Sequence, residues 1–201
     1  MAVEFVNMTK KFGNFTAVDD LTLSLRKDEI FCFLGHNGAG KTTSLNVLMG
    51  KTKPSTGTVK LRLLGNSSRV DDEDQGDTSK VFDIREDAQS AQSLMGTCSQ
   101  HDILFETLST EQHIYLFYKL KESLLDTGIN HSQKSIGQRV DELVKTVQLE
   151  PHRHKESQHL SGGMRRRLSI ALALVSPSES SIVILDEPTT GLDAMVREDV
   201  W

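Results

Sequence analysis

Ile30-Phe31-Cys32-Phe33-Leu34-Gly35-His36-Asn37-Gly38-Ala39-Gly40-Lys41-Thr42-Thr43 is the stretch on which the reading of this chain turns. Its first five residues are apolar throughout, the pattern of a short strand buried on both faces, and Gly35 ends it. The next eight fit the spacing G-x-x-x-x-G-K-[ST]. Glycines at such spacing let the backbone curl until successive N–H groups point inward, a geometry suited to phosphate oxygens. A helix is predicted from Lys41 to Met49, with Leu45, Leu48 and Met49 on one side and Gly50 as its stop. Its N-terminal end adds a positive dipole to the same place.

Strand–turn–helix in that order makes this a P-loop. Lys41 is placed to reach β- and γ-phosphates, and the Thr42 hydroxyl to ligate Mg²⁺. A second signal lies far along the chain. Ile182-Val183-Ile184-Leu185 reads as a short buried strand that delivers Asp186 and Glu187 at its C-terminal end, where open parallel sheets bind ligands. Asp186 is the candidate for holding Mg²⁺, and Glu187 for orienting or deprotonating an attacking water.

Outward from these two sites the periodicities change. Leu21, Leu23 and Leu25 alternate with polar residues, as do Val59, Leu61 and Leu63, so both segments are predicted to be half-buried strands. Asn66 to about Lys80 has few apolar residues and reads as a surface loop. Ser109 with Gln112 has the form of a capping box ahead of Ile114, Phe117 and Leu120. Ser135 with Gln138 repeats it ahead of Val140, Leu143, Val144 and Val147, with Pro151 closing that helix and a polar loop from Ser123 to Ser135 between the two. A third helix carries Met164, Leu168, Ala171, Leu172 and Val175 on one face and ends at Pro177. Asp193 has the look of a further helix cap.

Composition excludes several classes. The chain has 201 residues, 37% hydrophobic and 25% charged, with net charge −5, which argues against a nucleic-acid partner. Acidic residues concentrate between Asn66 and Ser93. Cys32 and Cys98 sit inside apolar runs, which fits a reducing, cytosolic compartment rather than a disulfide framework or zinc site. No apolar run approaches the ~18 residues that a membrane span requires. His152, His154 and His159 lack ligand spacing, and Arg165-Arg166-Arg167 is expected on a solvated or interface-facing side of the third helix.

Leu160-Ser161-Gly162-Gly163-Met164 precedes that helix, and Ser161 with the Gly162 and Gly163 amides has the makings of a second anion site at a helix N-terminus. Together with the P-loop and Asp186-Glu187, this segment resembles the nucleotide-binding domain of ATP-binding-cassette (ABC) proteins. The resemblance implies an α/β fold: a P-loop NTPase (RecA-like) parallel-sheet core, an N-terminal antiparallel β subdomain and an inserted helical lobe. It implies one domain over 1–201, with 1–100 and 177–201 forming the β subdomain and nucleotide-binding core, and 101–176 the helical lobe.

Residue by residue, the resemblance implies that Gly35, His36, Asn37, Gly38, Ala39, Gly40, Lys41, Thr42 and Thr43 hold ATP. Phe12 would stack on adenine with Val18 beneath it, and Gln100 would touch Mg²⁺ alongside Thr42 and Asp186. Catalysis would fall to Glu187, Lys41 and Gln100. Ser161, Gly162 and Gly163 would contact the γ-phosphate bound to the other domain of a head-to-tail dimer, and Gly191-Leu192-Asp193 would be the D-loop crossing that interface. The partners implied are transmembrane domains and a second nucleotide-binding domain, at the cytoplasmic face of a membrane.

His36 to Gly40, Gln100 to Phe105 and Ser161 to Met164 resemble subfamily A, the lipid exporters, so the function implied is export powered by ATP hydrolysis. A soluble ABC ATPase acting as a ribosome- or nucleic-acid-associated switch is the alternative, and a degenerate cassette binding nucleotide only for structure is a third reading. The family's switch histidine lies downstream of the D-loop, so a chain ending at Trp201 is expected to be C-terminally truncated and poorly active alone.

Overall fold

The computed structural model describes residues 2–63, 80–124, 134–175 and 182–188. The chain divides into two compact units, Met1–Gln92 and Ser93–Trp201.

In the first unit, β1 (Val3–Phe12) and β2 (Phe15–Leu25) form a hairpin closed by Gly13-Asn14, with Gly13 at φ 58. β3 (Thr56–Leu63) pairs with the other edge of β1, and β4 (Lys80–Asp83) with β3, giving an antiparallel sheet of order β2-β1-β3-β4. The alternation seen in the sequence is the reason. Val59 and Leu61 are buried while Lys60 and Arg62 face outward, and Val3, Phe5 and Met8 of β1 are buried as well. β1 kinks where its register shifts between Phe5 and Met8. Gly57 lies opposite this kink, where a Cβ would stand 2.2 Å from the Asn7 carbonyl oxygen, so only glycine fits.

The helix after the glycine loop, α1, runs Lys41–Leu48 with Met49 as its C-cap. Gly50 follows at φ 68, as a helix stop requires. The short α2 (Ala88–Ser93) presents Gln92, which donates to the Met49 carbonyl at 3.0 Å.

Ile30 to Leu34 departs from expectation. No strand forms there, Ile30 is 92% and Leu34 89% exposed, and no described strand bonds to the segment. An apolar run becomes a two-faced strand only where ladders flank it. Hydrophobicity alone does not supply the neighbours.

In the second unit, β5 (Met95–Cys98) and β6 (Ile182–Leu185) pair in parallel, with Cys98 opposite Leu185. Among the described residues three α-helices accompany them: α3 (Thr110–Leu124), α4 (Ile136–Thr146) and α5 (Gly162–Leu174). Both predicted capping boxes are present. Ser109 and Gln112 exchange backbone–side-chain bonds ahead of α3, and Ser135 and Gln138 do so at α4. Ile114, Tyr118, Val140, Leu143, Val144, Val147, Leu168, Ala171, Leu172 and Val175 close into one core. Full burial of a residue such as Leu168 contributes about 1.5–3 kcal/mol.

Two details differ from the sequence reading. Leu120 is half exposed, and Tyr118 takes the inward place on α3. α4 ends at Thr146, well before Pro151; the chain turns at Gln148, φ 55, and Pro151 instead opens a 3₁₀ turn at Glu150–His152. Pro177, the acidic stretch 66–79, residues 125–133 of the loop expected from Ser123 to Ser135, and Gly191-Leu192-Asp193 lie outside the described residues.

α5 lies against β5 at very close range. A Cβ on Gly96 would stand 1.6 Å from the Ala173 carbonyl oxygen. Lys121 of α3 secures the same corner, donating to the carbonyls of Val175 at 2.6 Å and Met95 at 3.1 Å. Burial pushes its ammonium below the ordinary lysine value.

Candidate active site

The glycine loop folds as its spacing demands. Gly38 and Gly40 take φ 82 and 86, a region that side-chain-bearing residues rarely enter. At Gly40 space is also decisive. A Cβ there would meet the Ala17 carbonyl oxygen at 2.6 Å and Val18 Cγ2 at 3.0 Å, so Val18 of β2 lies against the base of the loop. Gly35, His36, Asn37, Gly38 and Ala39 are exposed along the loop, as is Thr42, while Thr43 is partly buried.

Lys41 reaches back across its own loop. Its Nζ donates to the carbonyls of Gly35 at 2.6 Å and His36 at 3.0 Å, closing a ring. α1 starts at Gly40 without a side-chain cap. Its first-turn N–H groups therefore have no intrahelical partner and point out of the helix end, beside a fixed ammonium. That is a donor set for an anion with several oxygens.

Phe12 closes β1 with its ring 53% exposed, and Lys10 Nζ stands 4.9 Å from the ring centroid. An exposed aromatic ring at the tip of a hairpin can serve as a platform for a flat ligand.

In the second unit, the parallel pairing of β5 with β6 brings two distant sequence signals side by side. Gln100 follows β5, and Asp186 and Glu187 follow β6. Gln100 Nε2 donates to Glu187 Oε2 at 3.1 Å. With its nitrogen so used, the Gln100 amide offers its oxygen as an acceptor or cation ligand. Within this unit the Gln100 oxygen and the Asp186 carboxylate are hard ligands of the kind Mg²⁺ selects. Glu187 itself sits at φ 47, unusual for a residue with a side chain.

Arg166 is where the sequence reading fails. Expected on a solvated or interface-facing side of α5, its side chain is 3% exposed and makes six hydrogen bonds. Nε donates to the Pro188 carbonyl at 2.7 Å. Nη1 donates to the Ser99 carbonyl at 2.6 Å, the Gln100 carbonyl at 3.3 Å and Asp102 Oδ1 at 3.1 Å. Nη2 donates to the carbonyls of Asp186 at 3.3 Å and Glu187 at 3.0 Å.

The cause is that α5 is buried on two faces. One carries Leu168 and Leu172; the opposite one carries Arg166, Ser169 and Ala173, whose small residues suit the close approach to Gly96. The 166/169/173 spacing was the available signal, hidden by the larger apolar stripe.

Cys98, at the end of β5, is buried, and burial pushes its thiol pKa up. Ser161 caps α5, its Oγ accepting from Met164 N at 3.3 Å, with Ser161 and Gly162 exposed and Gly163 partly so. His113 anchors the chain beyond Gln100. It is fully buried, accepts from Phe105 N through Nε2 at 2.9 Å and donates from Nδ1 to the Ser109 carbonyl at 2.9 Å.

The sequence profile of the ABC transporter family matches residues 18–190. The chain is 36% identical over 202 residues to the human "Glucosylceramide transporter ABCA12", covering all of this chain and 7% of that protein. It is 36% identical over 185 residues to the human "Phospholipid-transporting ATPase ABCA3", covering 92% of this chain and 9% of the relative. With rat "ATP-binding cassette sub-family A member 2" it shares 34% over 196 residues, or 96% of this chain and 7% of that one. It thus spans less than a tenth of these relatives.

Two solved structures share the fold. An ATP-binding subunit of an ABC transporter superposes with TM-score 0.73 at 20% identity, over all of this chain and 72% of its own. A dimeric ATP-binding cassette in a post-hydrolysis state, bound to ADP and Pi, gives 0.70 at 24%, over 98% and 79%. The P-loop, the paired strand ends and the family profile agree: this chain belongs to the ABC transporter family, as a nucleotide-binding domain resembling those of sub-family A.

Proposed function

We propose that this chain binds Mg·ATP and hydrolyses it as the motor domain of a lipid exporter, working in a head-to-tail dimer. The observation that carries the reading is the glycine loop, ringed by Lys41 and opening onto the uncapped end of α1.

On this reading, Gly35 to Thr43 hold the phosphates, with the Lys41 ammonium matching their charge. Phe12 stacks on the adenine above Val18. Thr42, Gln100 and Asp186 hold Mg²⁺, which when bound neutralises phosphate charge. Glu187 orients water and accepts its proton, and Gln100 fixes one of that carboxylate's oxygens by the 3.1 Å bond.

Ser161, Gly162 and Gly163 complete the site of a second copy. The helices of the 101–176 lobe dock on transmembrane segments at the cytoplasmic face. No helix among the described residues is long and apolar enough to cross a membrane, so those segments are other ones. The lipid assignment rests on relatives named as a glucosylceramide transporter and a phospholipid-transporting ATPase.

The test is the Glu187→Gln variant, mixed with Mg·ATP and followed by size-exclusion chromatography with nucleotide quantified in each peak. A dimer retaining ATP is expected. A lasting monomer without nucleotide contradicts the reading.

A further inference from the structure

The cluster around Arg166 suggests a role that neither the P-loop nor the strand-end acids explain. One guanidinium binds the carbonyls of Ser99 and Gln100 after β5 and those of Asp186, Glu187 and Pro188 after β6. These are the backbones that carry Gln100 and Glu187, and their side chains meet at 3.1 Å.

Each of the two segments follows a parallel strand, so neither has a hairpin partner to fix its course. Glu187 in addition holds a φ of 47, which costs free energy and persists only where its surroundings determine it. The Arg166 fork supplies that determination from a rigid helix. Asp102, at 3.1 Å, balances its charge and orients the guanidinium. Arginine alone has five donors in one plane, enough to serve carbonyls on both sides.

We propose that Arg166 is the positioning residue for hydrolysis: from α5 it holds the Gln100 and Glu187 loops in register, so that the Glu187 carboxylate stays aimed where the Gln100 amide fixes it. The proposal rests on the hydrolytic reading given above. Arg166 lies five residues after Ser161 on the helix that Ser161 caps, so a displacement of α5 reaches both loops through one side chain.

The test compares the unaltered chain with Arg166→Lys and Arg166→Met, by amide hydrogen exchange and by single-turnover ATP hydrolysis with protein in excess. Lysine keeps the charge beside Asp102 but loses the fork, so it guards against a methionine variant that fails to fold. In Arg166→Lys, exchange around Gln100 and Glu187 is expected to quicken about tenfold while α3 and α4 keep their protection. The hydrolysis rate is expected to fall about tenfold, with the half-saturating protein concentration changed less than about twofold.

Unchanged exchange and rate in both variants overturn the proposal. So does loss of protection spread evenly through α3 and α4, or weakened ATP binding at an unchanged rate. The chain alone is expected to turn over poorly, so where the unaltered chain hydrolyses nothing the local exchange pattern decides whether Arg166 holds the two loops.

Discussion

The amide nitrogen of Gln100 stands 3.1 Å from a carboxylate oxygen of Glu187, although the two are 87 residues apart in sequence. Parallel pairing of two four-residue strands creates this meeting. Gly96 pairs with Val183 and Cys98 with Leu185, so the residues just beyond each strand emerge together. Gln100→Ala is expected to lower hydrolysis about tenfold, more than it weakens Mg·ATP binding, because it frees the Glu187 carboxylate as well as removing one candidate Mg²⁺ ligand. Steady-state kinetics would check it, and loss of affinity at an unchanged rate would count against the assigned role.

Gly96 sets how closely α5 approaches β5. A methyl group there would lie 1.6 Å from the Ala173 carbonyl oxygen, backbone that cannot move aside without shifting the helix. Gly96→Ala should therefore destabilise the chain by about 3 kcal/mol, at the upper end of overpacking costs. Urea denaturation would measure it, and a change under about 0.5 kcal/mol would show that the helix seats differently.

His113 gives stability a pH dependence. Burial holds its imidazole below the ordinary 6.5, with donation to the Ser109 carbonyl acting the other way. Nε2 must stay unprotonated to accept from Phe105 N. The unfolded chain therefore takes up a proton first as pH falls. The contribution is whole above pH 6.5 and is lost as the pH drops from there through the folded-state pKa. Glu111, held below its ordinary 4.5 by Arg153, adds a similar loss further down. In His113→Gln the slope between pH 6.5 and 5 should flatten in denaturant titrations; an unaltered slope would assign it to other groups.

Ser135 offers a simpler check on local chemistry. Its hydroxyl accepts from Gln138 N at 3.3 Å while the Gln138 side chain returns a bond to Ser135 N at 3.0 Å. Ser135→Ala should cost about 1 kcal/mol, and it should do so without altering ATP binding. Thermal denaturation with and without nucleotide separates the two.

Much of this was legible in the chain because local chemistry dictates it. Both capping boxes, the 59/61 alternation, the stripe of α5 and the turn at Gly50 follow from residues within a few positions of one another. What the sequence could not convey depends on distant neighbours. Ile30 to Leu34 looked like a buried strand, yet apolar character does not provide ladders on either side. Arg166 looked solvated because the opposite face of α5 has the larger apolar residues; only Gly96, seventy positions earlier, shows that its face is buried too. Pro151 was a plausible helix stop, but the left-handed turn at Gln148 comes first.

The central claim is that the glycine loop and Lys41 grip a triphosphate. Isothermal titration of Lys41→Ala with Mg·ATP tests it most directly. A charge-assisted hydrogen bond contributes about 1.5–3 kcal/mol, so removing the ammonium should weaken binding by more than about tenfold. Undiminished affinity in a folded Lys41→Ala chain would contradict the account.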